Sequence, residues 1–295
     1  METLDELQHR ARVEFVGRAS VPILLQTEDS QSPWKSWGSG AWFRVPQASG
    51  PDRLFLLTAA HVVLDSAGKL AGNLFVPVSR PGATVGSDTV PLRAVGVATF
   101  VTAHDRSGPD TEHMDAVVLE VRRDLADRIL AGDWGVLDSD NIGPHAASEG
   151  LDGVPFLLCG YPEQTSASGP GWAANAPVHV LGSRYDGDVT IEHGFDPDID
   201  LLLERPDRDY DSSDAMPPLS LRGVSGALVW AIRAGDVPGI WHPRRGVVIA
   251  GHQVSATPTG YIRVRRGVVL ARLIQRAAPE IADEIEARLE GRVVG

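Results

Sequence analysis

Three short motifs in a fixed order constrain this chain more than any other feature. Leu57-Thr58-Ala59-Ala60-His61-Val62, Met114-Asp115-Ala116-Val117-Val118-Leu119 and Arg222-Gly223-Val224-Ser225-Gly226-Ala227 each set one chemically able side chain at the edge of an apolar run with strand character. The three polar residues are separated by about 54 and about 110 positions. Those gaps suit one six-stranded barrel and the next.

The residue types explain one another. A serine hydroxyl is a weak nucleophile at neutral pH, so Ser225 needs a base within hydrogen-bond reach, and His61 is the candidate. The imidazole must present one tautomer and then tolerate a positive charge, which a carboxylate on its other nitrogen provides; Asp115 is the candidate for that role. Gly223 can adopt backbone angles that an L-residue resists, so its amide and that of Ser225 can converge on an oxygen that becomes negative. One such donor is worth roughly 3 to 4 kcal/mol of transition-state stabilisation. Each motif alone also fits a structural histidine, a turn aspartate or a tight glycine turn. Their conjunction in this order is what points to acyl transfer.

With these residues in view, the chain resembles the bacterial trypsin-like serine peptidases of the chymotrypsin superfamily, from about Val21 to about Arg266. Gly38-Ser39-Gly40-Ala41-Trp42-Phe43 is similar to the Gly-Ser-Gly strand that opens their first barrel, and Leu157-Leu158-Cys159-Gly160-Tyr161-Pro162 to the Gly-Tyr-Pro strand early in their second. Val247-Val248-Ile249-Ala250-Gly251 is similar to the strand that follows the nucleophile and lines the cleft. The resemblance implies an all-β fold of two six-stranded antiparallel β-barrels, with a short N-terminal helix and a C-terminal α-helical extension. Residues 1–20 would be an N-terminal extension, 21–135 the first barrel with His61 and Asp115, 136–266 the second barrel with Ser225, and 267–295 a helical segment. It implies a serine endopeptidase working through an acyl-enzyme on a protein or peptide substrate, with no metal and no organic cofactor, and leaves room for a regulatory protein partner. The substrate pocket would be built from Leu219, Ser220 and Arg222 on one wall and His252, Gln253 and Val254 on the other. Strand alternation puts either His252 or Gln253 in that pocket. An inward His252 suits an acidic or amide side chain, whereas an outward one leaves a small apolar pocket. Leu219, where trypsin carries an aspartate, gives no electrostatic reason to select Lys or Arg.

Two departures matter. Val224 stands where the secreted digestive members carry an aspartate that pairs with a new N-terminus, so activation by that ion pair is not expected. Ala227 replaces an expected glycine, which alters the turn after the nucleophile. A catalytically silent, protease-like binding or scaffold module is the alternative reading.

Composition agrees with a turn-rich β protein: 31 glycines and 21 prolines punctuate short apolar runs, and 43% hydrophobic residues supply a sizeable core. A formal net charge of −12 argues against nucleic acid or an anionic membrane as partner. Arg263, Arg265 and Arg266 read as a solvated strand end. The one cysteine, Cys159, lies in an apolar run and reads as packing. The first residues lack a continuous apolar signal region and no stretch reaches about 18 apolar residues, so a cytoplasmic location without a transmembrane helix is expected. Residues 1–12 read as a short helix, Glu163 to Pro177 as a long loop and Asp207 to Pro218 as an acidic segment, most simply a solvated turn, which the resemblance would place beside the pocket. From Val268 the period changes to about 3.6, placing Leu270, Leu273 and Ile274, then Ile281, Ile285 and Leu289, on helical faces broken by Pro279. The first half is expected to pack on the second barrel and the second half to form intramolecular core.

Overall fold

The computed structural model describes residues 3–79, 89–95, 100–102, 114–144, 151, 153–169, 172–187, 195–205, 220–232, 242–257 and 260–292. Seven strands form the first sheet: β1 (Ser20–Gln26), β2 (Trp34–Val45), β3 (Arg53–Thr58), β4 (Leu74–Pro77), β5 (Thr89–Pro91), β6 (Phe100–Thr102) and β7 (Val117–Glu120). Their order is β5-β4-β1-β2-β3-β7-β6, every pair antiparallel. After β8 (Phe156–Gly160), a separate hairpin is made by β9 (Ser166–Gly169) and β10 (Trp172–Asn175). The chain continues through β11 (Val178–Gly182), β12 (Asp200–Glu204), β13 (Leu228–Ile232), β14 (Val247–Ala256) and β15 (Tyr261–Arg266). The second sheet is six-stranded, β11-β8-β13-β14-β15-β12, again antiparallel throughout. The architecture is thus all-β, two curled antiparallel half-barrels with helices at both ends of the chain, the first sheet having one strand more than expected.

The continuous apolar runs of the central strands have a direct cause: both faces of each sheet are buried. In β3, Leu54 and Leu56 point into the first half-barrel with Ile23, Trp42 and Leu119, while Phe55 and Leu57 point the other way. In β8, Phe156 and Leu158 fill the second half-barrel with Val229 and Ile262, while Leu157 and Cys159 turn to the opposite face. The outward residues of both sheets meet in a third, shared core, which also takes Leu270, Leu273, Ile281, Ile285 and Leu289.

In chain order the helices are α1 (Leu4–Ala19), α2 (Ala60–Val63), α3 (Leu92–Val95), α4 (Arg123–Ala131), α5 (Gly267–Ala277) and α6 (Ala282–Leu289). Those from the two ends of the chain, α1, α5 and α6, close that shared core, while α2, α3 and α4 pack on the first half-barrel. α5 packs on the second half, as expected, and on the first half too, because its buried residues lie among side chains of both sheets. Arg53 of β3 reaches across to it, donating to the Ala277 carbonyl at 2.9 Å and pairing with Glu280 and Glu120 at 2.7 Å each. The N-terminal helix runs seven residues beyond Arg12 and passes directly into β1, with Val16 and Ala19 fully buried. Its junction is tied to the second sheet, since the Ser20 hydroxyl bonds the Cys159 carbonyl at 3.1 Å and the Tyr161 hydroxyl the Ser20 carbonyl at 3.2 Å. The C-terminal end of α1 is therefore part of the core.

Two further expectations change. The segment from Glu163 to Pro177 is not a loop but a 3-10 turn leading into the β9–β10 hairpin. Arg263, Arg265 and Arg266 are not a solvated face: Asp200, fully buried on β12, takes Arg265 and Arg263 at 2.5 Å each, and its carbonyl accepts from Arg266 at 2.8 Å. Such a cluster is held together because a buried charge without its partner is strongly penalised. The acidic segment from Asp207 to Pro218 lies outside the described residues. Among the described residues no helix is long and apolar enough to cross a membrane.

Ile285 is fully buried in the shared core. Ile285→Ala should lower unfolding free energy by about 2 to 5 kcal/mol, measured by urea titration; a change below about 1 kcal/mol would mean that the C-terminal helix does not carry the packing described.

Candidate active site

His61 enters the site on α2, a single turn that follows β3. Asp115 lies just before β7, the strand paired with β3, so sheet pairing brings the two residues together across 54 positions. Asp115 grips His61 at two points: Oδ2 stands 2.6 Å from ring Nδ1 and Oδ1 accepts the His61 amide at 2.9 Å. The ring's orientation and its tautomer follow, because a carboxylate at Nδ1 requires the proton there and leaves Nε2 as the basic nitrogen. Burial would raise the Asp115 pKa, but the hydrogen bonds and charge of His61 outweigh it and hold the carboxyl below its ordinary value. His61 remains about half exposed, open to a ligand.

Ser225 lies in the turn that leads into β13, and that turn is pressed against the first sheet backbone to backbone. The Ser39 amide donates to the Ser225 carbonyl at 2.8 Å. Gly226 has φ +84°, and a Cβ there would strike Thr58 Oγ1 and the Ser39 carbonyl and stand 2.9 Å from the Ala59 amide. Only glycine permits this approach. Ala59 and His61 are two residues apart, so this contact sets the Ser225 turn against the segment that leads to the histidine. Among the described residues neither His61 Nε2 nor Ser225 Oγ makes a hydrogen bond, so that last link is open.

Gly223 has φ +90°. Its preceding peptide is anchored, for the Arg222 carbonyl accepts the Glu163 amide at 2.8 Å. In a trans peptide the carbonyl and the amide hydrogen point oppositely, so the Gly223 N–H is turned away from Glu163. Among the described residues neither the Gly223 nor the Ser225 amide donates to a backbone carbonyl. A pair of uncommitted amides beside a hydroxyl is the arrangement that can receive an oxyanion. The position of Ala227 leaves this turn intact: its amide bonds the Val224 carbonyl at 2.9 Å and its carbonyl accepts from Gln253 at 2.8 Å. Val224 is fully buried in the apolar core of the second half-barrel, where a charged N-terminus would have no partner.

A cavity of about 460 Å³ opens beside Ser225, with Ser220, Arg222 and Gln253 in its lining. Ser255 and Ala256 also line it, together with Arg205 and Leu221, which were not anticipated. Leu219 lies outside the described residues. Val254 is the bulged residue of β14, without a partner in β15. Of the two alternatives on this strand, Gln253 faces the cavity, whereas His252 turns the other way and its Nε2 meets the Asp115 carbonyl at 2.9 Å. Sequence alternation could show that the two residues face oppositely but not which faced in. Glu163, outside the cavity's lining, holds Arg222 Nε at 2.9 Å and Lys35 at 3.6 Å. A larger cavity of about 870 Å³, between Val154, Leu181, Tyr185 and Glu204, shares no lining residue with this site. No cluster of His, Cys, Asp or Glu able to hold a metal ion occurs among the described residues.

Compared with protein-family models and with curated proteins, the chain matches none.

His252 is fully buried, and burial pushes its pKa from 6.5 down to about 4, although the hydrogen bond and charge of Asp115 act the other way. The ring is therefore neutral in the folded protein at a pH where the unfolded chain would protonate it. A depressed folded pKa contributes stability that is complete above pH 6.5 and is lost as pH falls toward 4. The loss from this one group should approach roughly 3 kcal/mol. Urea titrations across that window should show the decline, and it should flatten in His252→Gln; an equal slope in both proteins would contradict the assignment.

Proposed function

We propose that this chain is a serine endopeptidase of the trypsin-like kind, hydrolysing peptide bonds through an acyl-enzyme. The observation that carries the reading is the two-point grip of Asp115 on His61, held across a backbone contact from a serine turn whose two amides are uncommitted. In the reaction, His61 Nε2 takes the proton of Ser225 Oγ as the oxygen attacks the substrate carbonyl. The Gly223 and Ser225 amides bind the oxyanion, and Asp115 balances the imidazolium. His61 then protonates the leaving amine, and water, deprotonated by the same nitrogen, releases the acid and restores Ser225. Closure of the open Nε2 to Oγ link on substrate binding is part of this reading, since such bonds are often long before the complex forms.

That open link is also the observation that favours the rival, a protease-like binding module without turnover. The cavity beside Ser225 bears on the substrate. Arg205 and Arg222 stand in its lining and no carboxylate does among the described residues, which disfavours Lys or Arg at the cleavage position.

Ser225→Ala should abolish cleavage of a mixed peptide library while leaving the melting temperature nearly unchanged, because one lost hydroxyl creates little cavity. Asp115→Asn should lower turnover by about 10⁴, the loss known for the wrong imidazole tautomer in this mechanism. Full cleavage by the alanine variant, or an asparagine variant within about tenfold of the parent, would overturn the assigned roles. In the same library the parent should show no enrichment for Lys or Arg at the cleaved bond, and strong enrichment would refute the cavity assignment.

A further inference from the structure

Asp115 is the one non-glycine residue with positive φ among the described residues, at +30°. An aspartate is not forced into that conformation by its own chemistry, and it persists only where its surroundings over-determine it. Two donors converge on its carbonyl: the Ala60 amide, at 3.3 Å, and the His252 ring, closer at 2.9 Å. The first comes from the same half of the molecule as Asp115. The second comes from β14, in the other half.

His252 is itself fixed. Its side chain is fully buried, and its cross-strand partner on β15 is Arg265, which Asp200 anchors. The acceptor at Nε2 is a carbonyl, so Nε2 must carry the proton, and Nδ1, buried without a hydrogen-bond partner among the described residues, must be bare. The titratable groups that face the ring are Asp115 and His61 from the first half, and Arg265, with Asp200 and Arg263 behind it, from β15 and β12. Arg265 and His61 both oppose protonation of the ring. A neutral ring can hold the Asp115 carbonyl without drawing the carboxylate away from His61.

We propose that His252 is a positioning residue that clamps the main-chain carbonyl of Asp115 from the opposite half-barrel, fixing the backbone from which the Asp115 carboxylate grips both the ring and the amide of His61. The proposal rests on the peptidase reading for its effect on turnover, though not for its geometry. It gives the juxtaposition of the two halves a readout at the carboxylate: docking that brings β14 to Asp115 also aligns His61 for Ser225.

The test compares two substitutions. His252→Leu keeps the bulk and removes the donor; His252→Gln can place a carboxamide N–H near the position of Nε2. The readouts are kcat and KM on a peptide cleaved by the parent, and the low-field proton resonance of His61 Nδ1–H in the full-length protein. The leucine variant should lose about 10- to 100-fold in kcat with KM within about twofold, the size expected from a small misalignment of the reacting groups. Its His61 resonance should move or broaden. The glutamine variant should stay within about threefold of the parent with the resonance in place. A leucine variant with parental kcat and an unmoved resonance would overturn the proposal. Should His252→Leu fail to fold, His252→Asn, whose amide is too short to reach the carbonyl, replaces it under the same criteria. Absence of turnover in the parent would overturn the peptidase reading, and the resonance alone would then decide the role of His252.

Discussion

The site depends on one contact, the Ser39 amide donating to the Ser225 carbonyl at 2.8 Å. Each half-barrel has its own interior core, but the candidate groups are divided between the halves, with His61 and Asp115 in the first and Ser225 in the second. A backbone hydrogen bond is a tight tether, since it fixes the two chains within a few tenths of an ångström. Around it the packing leaves no slack. Gly226 has no room for a Cβ, the Thr58 hydroxyl holds the Ser39 carbonyl at 2.7 Å, and the Ser39 hydroxyl accepts from the Tyr161 amide at 2.9 Å while donating to the Gly223 carbonyl at 3.2 Å. Ser39 thus ties the Ser225 turn, the Gly-Tyr-Pro strand end and β3 to one point.

The large energies lie elsewhere, in the shared apolar core that holds the two sheets face to face. Phe55, Leu57, Leu157 and Trp230 contribute from the sheets, and α5 and α6 seal the core with Leu270, Leu273 and Ile285. Burial of such side chains is worth about 1.5 to 3 kcal/mol each and is non-directional. It forces the halves together without specifying their register. The polar contacts at Ser39, Ser225 and His252 are individually worth about 1 kcal/mol, but they are directional, and leaving a buried partner unmet costs more than making the bond gains. Bulk association and fine alignment therefore have different physical origins in this molecule.

How much of this was legible in the sequence follows from the range of each interaction. The β3, β7 and β13 runs were readable because burial of both sheet faces leaves continuous apolar segments, and α5 and α6 because their stripe repeats at helical spacing around Pro279. The N-terminal helix was read too short, since Glu14 and Gly17 interrupt the apolar signal that tertiary packing of Val16 and Ala19 completes. The arginines of β15 looked solvated because their counter-charge, Asp200, is more than 60 positions away in sequence. Arg205 is likewise remote from the serine motif it accompanies. The direction of His252 was undecidable from alternation alone, which distinguishes two faces of a strand but not what each face meets.

The central claim is that Ser225 is activated by His61 across the junction of the two halves. Incubation with a fluorophosphonate, followed by peptide mapping by mass spectrometry, tests it most directly, because only an activated hydroxyl is phosphonylated quickly. The account predicts a single adduct on Ser225 that disappears in His61→Ala. An unmodified Ser225 under conditions that label a known serine peptidase to completion, or labelling that persists without His61, would contradict it.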